Sequence, residues 1–120
     1  SGVLLAILFS AAGEASAHGQ PPITALKFGM TRMQEVGGAK TGDRTMIDAL
    51  SPALENLKDG FAAAAGAARV GAASTAQMLR ANAGRASYLN ADQLAGNIDP
   101  GAEAVARVFE HLVIVSSERA

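Results

Sequence analysis

Apolar residues run almost unbroken from Val3 to Ala12. They predict a helix over about 2–16 that is apolar nearly all round, the pattern of a helix surrounded by others, so it is expected to be buried and central. Gly19, Pro21 and Pro22 break it, and Pro22 can open the first turn of a second helix. From Ile23 onward Leu26, Met30 and Met33 recur at helical spacing until Gly37-Gly38 stops the run. Met46, Ile47, Leu50, Leu54 and Leu57 then form an i, i+3/i+4/i+7 stripe, with Asp43 expected as the cap and Pro52 expected to kink the helix. The alanine-rich stretch from Phe61 to Asn82, with Gly66 and Gly71 inside it, predicts a fourth helix whose small side chains let neighbouring backbones approach closely. Residues 85–98 show no sustained period and read as a long loop. Asp99-Pro100 then has the form of N-cap and first helical residue, and Val105, Val108, Phe109 and Leu112 stripe a last helix ending near Ser116 or Ser117.

Five helices in this order predict an all-α fold, an antiparallel up-and-down bundle or barrel. Composition agrees: 49% of the 120 residues are hydrophobic but only 4% aromatic, so a core must be built from aliphatic side chains and alanine. One small domain over residues 1–120 is the expected organisation.

Ten basic against eleven acidic side chains, without a basic run, lack the electrostatic footprint of a nucleic-acid binder. No nucleic-acid partner is expected. Ten apolar residues before Gly13-Glu14 are too few to span a bilayer, and no basic segment precedes them as in a signal peptide, so no membrane partner is expected either. The absence of cysteine excludes disulfides and thiolate metal sites and is compatible with the cytoplasm. His18 and His111 are given no chemistry.

Helix breaks that combine glycine with charge occur at Gly37–Met46, at Gly84-Arg85 and at Asp99–Gly101. The first of these has two readings, a plain helix connector or a ligand loop whose glycines admit close approach to backbone N–H groups. It is not a Walker A loop, since Lys40 precedes the last glycine. In an up-and-down bundle the three breaks can collect at one end, where helix N-termini and Arg85 suit a phosphate-bearing guest. The plain alternatives are a core Met46, a purely capping Asp99, a helix-ending Gly37 and an Arg85 paired with a carboxylate. Asp43 and Asp48 are set aside as metal ligands, one as a cap and the other as a helix-face residue.

Gly37-Gly38-Ala39-Lys40-x-Gly42-Asp43-Arg44-Thr45-Met46-x-Asp48-Ala49-Leu50, then Gly84-Arg85-Ala86-Ser87-Tyr88-Leu89, then Asp99-Pro100-Gly101-Ala102 resembles, in order and distance, the C-terminal ATP-binding (L-type) domain of the dihydroxyacetone (glycerone) kinase family. The resemblance implies a barrel of antiparallel helices with ATP or ADP at one end, of which about five of eight helices are present here. It places Gly37 and Met46 beside the base, Arg85 at the phosphates and Asp99, Pro100 and Gly101 in a turn closing over the nucleotide. Ser1 and Gly2 match the end of the family's phosphate loop. No catalytic residue is assigned. The family's magnesium-binding aspartates precede that loop, so no metal ligand is expected in this chain and Mg2+ would be held outside it; the chain alone is expected to be inactive. The implied activity is transfer of phosphate from ATP to a small hydroxyketone, with a dihydroxyacetone-binding domain or subunit as partner. A homodimer is left open. The alternatives are an ADP-holding subunit of a phosphotransferase-system-dependent kinase, a non-catalytic nucleotide-binding module, and a purely structural bundle.

Overall fold

The computed structural model describes residues 2–78 and 96–119. These residues form five α-helices, and no strand occurs among them. They are α1 (Gly2–Ala17), α2 (Pro22–Gly37), α3 (Ile47–Asn56), α4 (Phe61–Ser74) and α5 (Pro100–Arg119), with short 3-10 turns at Leu57–Asp59 and Thr75–Gln77. Pro22 does open α2, and Gly38 ends it in the left-handed region at φ 75°, its N–H bonding to Gln34 O at 2.7 Å. Only a residue without a Cβ takes that φ at no cost, which is why the break falls at this glycine pair.

Successive helices run antiparallel. A Cβ at Gly29 would meet Leu8 and Ala12, and one at Gly37 would meet Leu4, so the start of α1 lies beside the end of α2. Lys27 reaches Glu55 from α2 to the far end of α3. Gly71 of α4 packs on Asp48 and Pro52 near the start of α3, and Thr75 meets Asp99 just ahead of α5. The core is centred on α3, α4 and α5, where Ile47, Leu50 and Leu54 pack with Ala64, Ala65, Ala68, Ala72, Ala102, Ala106 and Phe109. Alanine at the α4 contacts brings the helix backbones close together, as the sequence implies. Arg69 of α4 adds a surface tie to α5, bonding Glu103 at 2.5 Å and Glu110 at 2.9 Å. Those bonds hold the Glu103 carboxyl at about 2, well below its ordinary value, and lower Glu110 as well.

Three expectations need correction. The first helix is not central: α1 packs chiefly on α2 through Leu8, Ala11 and Ala12, and leaves Val3 and Phe9 exposed at 72% and 64%. Apolar residues all round a helix show what it could bury, whereas the deepest positions here are taken by slim alanine faces of α3, α4 and α5. The alanine-rich helix does not continue to 82: α4 ends at Ser74, and after the 3-10 turn Met78 is extended. Third, Asp43 does not cap α3, which begins only at Ile47. Pro52 lies inside α3 as expected. Among the described residues no helix is long and apolar enough to cross a membrane.

Candidate functional site at one end of the bundle

Antiparallel packing gathers five helix ends on one side: the starts of α1, α3 and α5 and the ends of α2 and α4. The connection between α2 and α3 is built there by two carboxylates. Lys40 N–H donates to Asp43 Oδ2 at 3.0 Å while Asp43 N–H donates to Lys40 O, closing a tight turn. Asp48, in the first turn of α3, reaches back to accept Gly42 N–H at 2.7 Å and Thr45 N–H at 2.9 Å. Thr45 Oγ1 accepts Ile47 N–H at 3.2 Å. One carboxylate thus holds two N–H groups of the loop, that of exposed Gly42 and that of half-buried Thr45, so Asp48 is the organising side chain here.

The start of α5 faces the same loop. Asp99 is its N-cap, as expected, with Oδ2 accepting Ala102 N–H at 3.1 Å and its own N–H donating to Thr75 Oγ1 at 2.8 Å. Arg44 lies between the two parts. Its Nε donates to Thr75 O at 3.1 Å, Nη2 donates to Asn97 O, and Nη1 stands 3.8 Å from Asp99 Oδ1. Burial pushes the Asp99 carboxyl up from its ordinary value, against the lowering by Ala102 N–H and the Arg44 cation.

This polar layer is sealed. Asp43, Arg44, Asp48, Thr75 and Asp99 are all buried. Three carboxylates against one guanidinium make it net negative, and the N-terminal N–H groups at α3 and α5 already bond Thr45 and Asp99. Among the described residues these helix starts are therefore tied to side chains of the layer itself, whereas the sequence suggests donors open to phosphate. The start of α1, where the resemblance puts the phosphate loop, is the third N-terminus at this end.

Of the residues singled out from the sequence, Met46 and the Asp99–Gly101 turn are brought together. A Cβ on Gly101 would lie 3.2 Å from Met46 Cβ, 3.6 Å from Met46 Cε and 3.2 Å from Asp99 Oδ2. Pro100 is the first residue of α5. Gly37 closes α2 and lies against Leu4, where a Cβ would come within 3.0 Å of Leu4 Cδ2, so it belongs to the side of the end formed by α1. Gly2 is the first residue of α1. Ser1 and Arg85 lie outside the described residues. Among the described residues no three His, Cys, Asp or Glu side chains group as metal ligands, and Asp43 and Asp48 both accept backbone N–H groups, so these residues do not fit a magnesium site.

Arg44 and Thr75 were given no role from sequence. An arginine inside a glycine-rich loop reads as exposed, and only the return of α4 and α5 to this end makes it interior.

Comparison with known proteins bears on the family and the fold. The DAK2 domain family matches residues 1–113. The dihydroxyacetone kinase of Citrobacter freundii is 50% identical over 115 residues, covering 93% of this chain and 21% of that protein. Its crystal structure in complex with AMP-PNP and Mg2+ superposes with a TM-score of 0.74 at 42% identity, over 92% of this chain and 19% of that one. The ADP-binding subunit DhaL of the PTS-dependent dihydroxyacetone kinase of Lactococcus lactis is 38% identical over 87 residues, 72% of this chain and 44% of that subunit. This chain thus spans about a fifth of the length of the Citrobacter enzyme. With the matched region running from the first residue nearly to the end of α5, the chain belongs to the DAK2 domain family.

Proposed function

We propose that this chain is the nucleotide-binding portion, a single C-terminal L-type domain segment, of a kinase that transfers phosphate from ATP to dihydroxyacetone or a related small hydroxyketone. The observation that carries the reading is the meeting of Met46 with Gly101 beside the Arg44–Asp99 layer. The C. freundii relative, described with AMP-PNP and Mg2+, supports it. In this reading Met46 and Gly101 offer an apolar seat to the base, with Gly37 admitting close approach, and Asp99 and Pro100 hold the turn. Ser1, Gly2 and Arg85 take the phosphates, because the carboxylate-rich layer behind the turn repels them. Mg2+ would be held outside the described residues and would neutralise charge on the phosphates when bound. What this chain contributes is orientation, so that the substrate hydroxyl presented by a partner domain or subunit meets a fixed phosphoryl group. The location would be the cytoplasm.

The similarity to the L. lactis ADP-binding subunit supports a second reading, in which bound ADP is a resident cofactor and a phosphoprotein is the donor. The full-length protein assayed with dihydroxyacetone and either ATP or a phosphotransferase phosphoprotein separates the two. Turnover on ATP alone, sharply reduced by Arg85→Ala, is the expected result; turnover only with the phosphoprotein selects the second reading. Absence of nucleotide binding in the full-length protein refutes both.

A further inference from the structure

At this end of the bundle Arg44 combines a left-handed backbone with a buried charge. Among the described residues it alone, glycine aside, has a positive φ, at 60°, a left-handed conformation that strains an L-residue. Its guanidinium is 2% exposed, and taking a charge out of water carries a further penalty that its partners must offset. Both costs serve one geometry. The side chain touches Thr75 O, Asn97 O and the Asp99 carboxylate. Those groups sit on either side of a neck closed by Gly96 N–H donating to Ala76 O at 2.8 Å. Two residues beyond Arg44, Met46 lies on Gly101.

We infer that Arg44 is a positioning residue for nucleotide binding: its planar fork sets the register between the 42–46 loop and the Asp99–Gly101 turn, and through it the seat formed by Met46 and Gly101. The inference rests on the nucleotide reading above. The loop is fixed on its other side by Asp48, which holds Gly42 and Thr45. Without Arg44 the loop would keep its internal turn and lose its registration to α5. A lysine would keep a cation beside Asp99 but has one nitrogen where three contacts need a fork.

The test uses the full-length protein with Arg44→Gly and Arg44→Lys. Glycine takes the left-handed φ without strain, so the first variant removes the side chain and relieves the backbone together. The expected result is an ATP KM raised about tenfold in Arg44→Gly and by an intermediate factor in Arg44→Lys, with kcat changed less than about threefold in each, the pattern of lost uniform binding. A merely structural role would lower the melting temperature and the active fraction, hence apparent kcat, and leave KM in place. That outcome overturns the inference, as does an unchanged KM in a folded Arg44→Gly. If Arg44→Gly does not fold, Arg44→Lys decides: a parental KM overturns the inference and a raised one supports it. Failure of the parent protein itself to bind ATP or ADP would instead refute the nucleotide reading.

Discussion

Replacing Gly71 by alanine tests whether close backbone packing of α4 on α3 sets the functional end. A Cβ at Gly71 would stand 1.9 Å from the backbone oxygen of Asp48, 2.9 Å from its carbonyl carbon and 3.0 Å from Pro52 Cγ. A normal contact of about 3.3 Å then requires the two helices to part by about 1.4 Å, and the obstructing atom is main chain, which cannot rotate away. Overpacking of this kind costs about 1–3 kcal/mol, and the backbone clash places Gly71→Ala at about 3 kcal/mol. Gly66, on the same helix, has nothing within 4 Å of the corresponding position. Gly66→Ala removes a helix-interior glycine and is expected to stabilise by about 0.5–1 kcal/mol. The displacement also moves Asp48, which holds Gly42 and Thr45, so Gly71→Ala should weaken nucleotide binding as well. Urea unfolding of the two variants in the full-length protein, followed by a nucleotide titration, reads both effects. A Gly71→Ala variant within about 0.5 kcal/mol of the parent, or a Gly66→Ala variant as damaging, would show that α3 and α4 are not in the contact described.

Asp48→Ala takes the acceptor from the half-buried Thr45 N–H and the exposed Gly42 N–H and should cost about 1–2 kcal/mol in urea unfolding, with Asp48→Asn costing less because one oxygen remains; equal losses would refute the two-acceptor role. Acid should weaken the tie between α4 and α5. The Glu103 carboxyl, depressed from 4.5 to about 2 by Arg69 and then Arg107, contributes stability that is present above pH 4.5 and is lost as pH falls toward 2. Because Glu103 and Arg69 are 25% and 35% exposed and Arg107 75%, solvent screening leaves on the order of 1 kcal/mol of it. Asp99 is raised and runs the other way, gaining stability on protonation and offsetting part of the loss. Arg69→Met should flatten the decline in melting temperature between pH 5 and 3, and an unaltered slope would remove the tie from the account. Asp99→Ala loses the α5 cap, worth about 1 kcal/mol, and takes the carboxylate from beside the buried Arg44 guanidinium, so its total loss should exceed that of the cap alone. Asp99→Asn, which keeps the capping oxygen, should fall between that variant and the parent.

Elements set by local chemistry were legible in the sequence. Pro22 and Asp99-Pro100 open helices because proline at the first turn gives up no bond, and Gly38 closes α2 because its φ is positive. The all-α class and the antiparallel order followed from five amphipathic or alanine-rich runs with short breaks. What tertiary contact decides was not legible. Nothing local distinguishes an apolar helix that is central from one that packs on a single neighbour, so the sequence alone does not place α1. Asp43 stands at capping distance from the Met46 stripe but turns back on Lys40, while Asp48, which looked like a helix-face residue, builds the loop. Arg44 gains its role only when Thr75, Asn97 and Asp99, about 31 to 55 positions away, fold against it.

The most direct measurement is a crystal structure of the full-length protein with a non-hydrolysable ATP analogue. The base is expected against Met46 and Gly101, with the phosphates directed toward the start of α1 and away from the Asp43–Asp48–Asp99 layer. A nucleotide bound at the opposite end of the helices, or with its phosphates seated on the start of α5, would contradict that placement.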